Sequence, residues 1–178
     1  MSVPGDGPAG APAGLGWLNG LPEDEARRQL LACCTAGRWV DGVAAGRPYP
    51  SLTALIELSN KAVAGLAVAD LRAALDGHPR IGDRDGGHGG RDWSRREQAG
   101  VAGSDDAVRR GLAEGNVAYE RRFGHIYLVC AAGRSGADLL AVLRARLGND
   151  PPTEWGVVRA ELGKINALRL RKLAGDPG

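Results

Sequence analysis

Apolar positions recur every three or four residues along most of the chain, the spacing that lines one face of an α-helix. Before Leu15 there is no such pattern. MSVPGDGPAGAPAG is rich in glycine, proline and alanine, and residues 1–14 are expected to form a disordered tail. In LPEDEARRQLLACCTAG, Pro22 and the acidic first turn Glu23, Asp24 and Glu25 favour a helix start, and Ala26, Leu30 and Cys33 share one face. Gly37 is expected to cap this helix, with a short segment around Trp39 and Val40 after it. Ser51 predicts an N-cap for LTALIELSNKAVAGL, whose stripe is Leu52, Leu55, Ile56, Ser59 and Val63.

Asp70 predicts the start of a further helix, LRAAL, that stops at Asp76-Gly77, and the glycine-rich, charged stretch 82–92 predicts a mobile loop. A helix is expected over 105–121, capped by Ser104 or Asp105. FGHIYLVCAAG alone reads as a short buried strand, but one strand has no partner, so an extended or irregular buried segment is expected. GADLLAVLRARLGN predicts an amphipathic helix, and DPPTEW opens a last helix over about 153–173. The fold class is all-α: a compact single helical domain over 15–174 with a glycine-rich loop.

Composition narrows the partners. A formal net charge of +2 over 178 residues does not favour nucleic acid or an anionic membrane. No apolar run approaches the ~20 residues that span a bilayer, and no basic region followed by an apolar stretch marks a secretory signal. Cys33, Cys34 and Cys130 have no paired metal spacing and are expected to be reduced, near-core thiols, which fits a cytoplasmic protein. Arginine far outnumbers lysine (only Lys61, Lys164 and Lys172), a skew typical of GC-rich bacterial genomes. No Walker loop, dinucleotide fingerprint, HExxH or CxxC pair occurs.

Three places could carry chemistry. In DGHPRIGD, Gly77 fits a left-handed helix cap and Pro79 biases His78 toward an extended backbone, so the imidazole is aimed from a helix end. The plain alternative is a loop histidine bonded to a carbonyl. In WSRREQAG, Ser94 and Glu97 form an S-x-x-E capping box, or else they and Gln98 offer a hydroxyl, a carboxylate and an amide at a helix N-terminus. On the last helix Trp155, Val158, Leu162, Ile165, Arg169 and Leu173 share one face, with Asn166 beside Arg169. A guanidinium there needs an anion or several acceptors, in a structural ion pair or at a substrate. His88 falls in the glycine loop, and His125 is either a core histidine or a second site group.

In order and spacing, HPRIG (78–82), WSRREQAG (93–100), YERRFGHIYLVCAAGRS (119–135) and ARLGND…EWGVVRAELGKINALRLRKL (145–173) resemble the 2-oxo-4-hydroxy-4-carboxy-5-ureidoimidazoline (OHCU) decarboxylase family of uric acid degradation. The resemblance implies an all-α fold, a homodimer, no metal or organic cofactor, and decarboxylation of OHCU to (S)-allantoin. It places the catalytic roles on His78 and Glu97, and substrate binding on Pro79, Ser94, Gln98, Arg169 and the segment Tyr127, Leu128 and Val129. The chain departs from some members at His125-Ile126, on the expected wall of the site. A ureide ring-opening hydrolase with the same His/Glu pair, and a noncatalytic helical module docking through RLRKL, are the alternatives.

Overall fold

The structure is a computed structural model that describes residues 14–82 and 96–175. Among these it is helical without strands: α1 (Leu15–Gly20), α2 (Glu23–Cys33), α3 (Gly37–Ala44), α4 (Leu52–Ala64), α5 (Val68–Leu75), α6 (Ala99–Ala102), α7 (Asp106–Phe123), α8 (Gly136–Arg146) and α9 (Pro151–Leu173). The expected tail (except Gly14), the glycine stretch beyond Gly82, His88 and Ser94 lie outside the described residues.

The helix starts follow local chemistry. Ser51, Asp105, Ser135 and Asp150 each accept a hydrogen bond from the backbone N–H three residues on. Four boundaries differ from expectation. Gly37 opens α3 instead of capping α2, and Trp39 and Val40 lie on that helix with their side chains buried. The α5 helix begins at Val68, two residues before Asp70, whose carboxylate instead accepts from the Ala67 N–H at 3.1 Å. The α9 helix begins at Pro151, where a missing N–H costs nothing. Gly77 is absent from the residues with positive φ, so it is not a left-handed cap. It is there for space: a Cβ would sit 2.7 Å from both Cγ2 and Oγ1 of Thr35.

Two cores form. One joins α1–α5 to α9 around Leu30, Trp39, Leu55, Leu71, Leu162 and Leu170. The other joins α7 and α8 around Leu112, Tyr119, Leu139 and Leu143. The segment 126–131 runs between them, and its alternation explains how an unpaired extended chain is stable here. Tyr127, Val129 and Ala131 pack into the second core, whereas Ile126, Leu128 and Cys130 pack into the first. Side chains replace a neighbouring strand as hydrogen-bond partners. Arg146 Nη1 donates to the Leu128 carbonyl at 2.7 Å, and the Glu161 carboxylate accepts from the Cys130 N–H at 2.8 Å.

Candidate active site

The site lies where the two cores meet. After α5 the chain turns at Gly77 and presents His78-Pro79, and this loop is fixed from three sides. The Asn116 amide donates to the Ile81 carbonyl at 2.9 Å, and Arg80 forms a bidentate pair with Glu120. Gln98 accepts from the Gly82 N–H at 3.0 Å and donates to the Arg80 carbonyl at 3.4 Å. His78, Pro79, Ile81, Glu97, Gln98, Tyr127, Leu128, Val129, Ala131 and Ile165 line one narrow cleft. A wider groove between α4 and α9 is bordered by Ala64, Gly156, Ala160 and Gly163, and brings no acid–base pair together.

Arg169 has its counter-ion. Its Nε and Nη2 donate to the two carboxylate oxygens of Glu97, each at 3.0 Å, and Nη1 donates to the Cys33 carbonyl at 2.9 Å. Both side chains of the pair are nearly buried. The carboxylate therefore faces α9, and the capping-box alternative turns on Ser94, outside the described residues. Next to this pair, desolvation first and the Arg169 charge second lower the His78 pKa from 6.5 to about 3. At neutral pH His78 is therefore an uncharged imidazole, with one ring nitrogen able to accept a hydrogen bond.

The cleft thus gathers His78, Pro79, Glu97, Gln98, Tyr127, Leu128 and Val129, while Arg169, expected at the substrate, is not among the lining residues and is paired with Glu97. His125 is not among the lining residues. Its ring lies tilted against Trp155 at 4.2 Å between centroids and meets Tyr119 edge-on, so His125 belongs to aromatic packing and not to the cleft lining. Cys33, Cys34 and Cys130 form no disulfide, and burial pushes the Cys34 and Cys130 thiols up. Among the described residues no group of three or more His, Cys, Asp or Glu side chains is placed to hold a metal. No single described helix is long and apolar enough to cross a membrane.

Sequence reasoning missed three buried charges. Arg146, Glu154 and Glu161 sit on apolar stripes, Leu139–Leu143–Arg146 on α8 and Glu154–Val158–Glu161–Ile165 on α9, the same signal that singled out Arg169. Arg146 Nε donates to Glu154 at 2.8 Å, and Tyr119 and Asn149 donate to the same carboxylate.

Comparison with known proteins agrees with this architecture. A family model described as OHCU decarboxylase matches residues 19–171. The chain is 30% identical over 148 residues to the uric acid degradation bifunctional protein TTL of Arabidopsis thaliana, covering 81% of this chain and 46% of that protein. It is 28% identical over 135 residues to the 2-oxo-4-hydroxy-4-carboxy-5-ureidoimidazoline decarboxylase of Amia calva, covering 74% of this chain and 77% of that one. A crystal structure of OHCU decarboxylase in the presence of (S)-allantoin superposes with a TM-score of 0.73 at 28% identity, covering 83% of this chain and 98% of that one. A crystal structure of (S)-allantoin synthase shares the fold at a TM-score of 0.69 and 16% identity, over 90% of this chain and 54% of that one. Because the family match runs through both cores and every described site residue, this chain belongs to the OHCU decarboxylase family.

Proposed function

We propose that this chain decarboxylates OHCU to (S)-allantoin, with His78 and Glu97 as its catalytic residues. One observation carries the reading: His78, held as a neutral imidazole, lines the same cleft as Glu97, whose carboxylate is fixed by Arg169. The substrate brings its own electron sink, because its carboxylated carbon bears a hydroxyl and adjoins a ring C=N bond. As the C–C bond to CO2 breaks, its electron pair forms a C=C bond and the imine pair moves onto nitrogen. The ring nitrogen takes up a proton, the enol loses its hydroxyl proton as the neighbouring carbon gains one, and the product carries a ring amide carbonyl beside a new stereocentre.

The protein supplies position, charge and proton transfer. His78 takes the hydroxyl proton or returns one to the neighbouring carbon on one face. Glu97 orients the hydroxyl or His78, and Arg169 keeps that carboxylate in place. Pro79, Ser94, Gln98 and the segment Tyr127–Leu128–Val129 bind the ring and its ureido arm. Delivery of the proton from one face makes the product chiral, and that is the test. OHCU generated enzymatically from urate and mixed with this protein yields (S)-allantoin by circular dichroism, faster and more enantioselectively than in buffer. Decay at the buffer rate to racemic product overturns the reading. The same reading includes a homodimer, which sedimentation equilibrium tests by mass.

A further inference from the structure

Among the described residues, the wall of the cleft is an extended chain with no strand beside it. Its position therefore depends on whatever bonds its backbone from the side. In an extended chain the N–H and C=O of one residue leave by the same edge, and those of the next residue by the opposite edge. Leu128 and Cys130 use one edge, where Arg146 Nη1 holds the Leu128 carbonyl at 2.7 Å and Glu161 Oε2 holds the Cys130 N–H at 2.8 Å. Val129 uses the other edge. Among the described residues its N–H and C=O have no hydrogen-bond partner, and Val129 lines the cleft.

Resting on the decarboxylase reading, we propose that Glu161 and Arg146 are positioning residues for the reaction. They clamp the Leu128–Cys130 stretch from its far edge and so set where the Val129 main-chain groups meet the substrate. Neither residue lines the cleft, so each acts through the backbone. Arg146 is the more firmly anchored of the two. Arg146 is locked by the buried Glu154 carboxylate, with Nε at 2.8 Å and Nη2 at 2.5 Å, and Glu161 is paired with Lys164 at 2.6 Å. Burial works against the Glu161 charge, but the bonds from Lys164 and the Cys130 N–H outweigh it and keep the carboxyl below its usual range.

Glu161 is the member to test, because removing Arg146 strands the buried Glu154 charge and endangers the fold. Glu161→Gln keeps an oxygen for the Cys130 N–H, Glu161→Asp keeps the charge on a shorter arm, and Glu161→Ala removes the acceptor. Lys164→Ala removes only the surface ion pair. Steady-state kinetics use enzymatically generated OHCU, well below each melting temperature. Glu161→Gln and Lys164→Ala are expected to stay within about 3-fold of wild-type kcat/KM. Glu161→Asp and Glu161→Ala are expected to lose at least about 10-fold, mostly in kcat, the scale set by sub-ångström misplacement of a bound substrate. Ser59→Ala, which strips the buried Trp39 indole of its partner between α3 and α4, lowers melting temperature without that loss. Should Glu161→Ala fail to fold, Glu161→Asp decides. A folded Glu161→Asp protein with wild-type kcat/KM overturns the inference while the decarboxylase reading stands. An inactive wild-type protein overturns both.

Discussion

Arg169 and Glu97, 72 residues apart in sequence, meet through two parallel hydrogen bonds of 3.0 Å in nearly complete burial. A fork-to-fork pair of this kind fixes orientation as well as charge. It ties the residues leading into α6 to the last helix beside the cleft.

The first prediction follows from that pair. Arg169→Met leaves Glu97 as a nearly buried charge with no counter-ion and is expected to cost about 3 kcal/mol or more of stability. Glu97→Gln alone strands the guanidinium and is also destabilising. The double variant removes both charges, so its loss is smaller than the sum of the two. Chemical denaturation of the four proteins measures this coupling. Strict additivity would show that the pair does not act as a unit.

The second prediction concerns acid. His78 resists protonation in the folded state down to about pH 3, whereas the unfolded chain takes up that proton near 6.5. Below 6.5 the unfolded state therefore binds more protons, and stability falls as pH falls through the window from 6.5 to about 3. The slope from one such group is at most about 1.4 kcal/mol per pH unit. Burial also lowers the His125 value, so the wild-type slope contains both imidazoles. Subtracting the slope of His78→Asn isolates His78. From pH 7 to 4 the wild-type protein is expected to lose stability relative to His78→Asn, measured by chemical denaturation at each pH.

Most helices were legible because their signals are local. Ser51 and Asp105 cap where a short polar side chain precedes an apolar period, and the Val158, Leu162, Ile165 and Arg169 face of α9 is buried as its spacing requires. Gly77 was misread because a glycine after a helix has two explanations, a positive φ and a close neighbour. Only the fold shows Thr35, 42 residues earlier, standing against it. The wall was legible as buried and extended, but its partners were not, since Arg146 and Glu161 reach it from two different helices. His78, Glu97 and the Tyr127–Val129 stretch were legible as one site only through the order of their motifs. Nothing local in any one of them says that they share a cleft.

A third prediction separates two roles for Gln98. Its amide donates to one backbone group of the His78 loop and accepts from another, so it latches that loop as well as lining the cleft. Gln98→Glu still accepts from the Gly82 N–H but turns an ionised oxygen toward the Arg80 carbonyl. It is expected to lose more activity than Gln98→Met, which leaves both groups to water, and to raise amide exchange at Gly82. Equal activity in the two variants would mean that the latch does not govern the loop.

The last prediction uses the tight contact under His78. Thr35 Oγ1 donates to the Ala73 carbonyl at 2.8 Å, which holds the threonine against the end of α5 and hinders it from rotating away. In Gly77→Ala the new methyl would lie 2.7 Å from Cγ2 and Oγ1 of that threonine, well inside van der Waals contact. The backbone at Gly77 must then shift, and His78 is the next residue. Overpacking of this size costs about 1–3 kcal/mol, and His78 displaced by even a fraction of an ångström is expected to lower kcat/KM by about 10-fold or more. Thr35→Ala clears both offending atoms at the cost of one hydrogen bond. The double variant Thr35→Ala/Gly77→Ala is therefore expected to regain most of the activity, although Thr35→Ala alone is no more active than wild type. Restored kcat/KM in the double variant would show that the glycine serves His78 through space alone. A double variant as inactive as Gly77→Ala would place the requirement in the backbone.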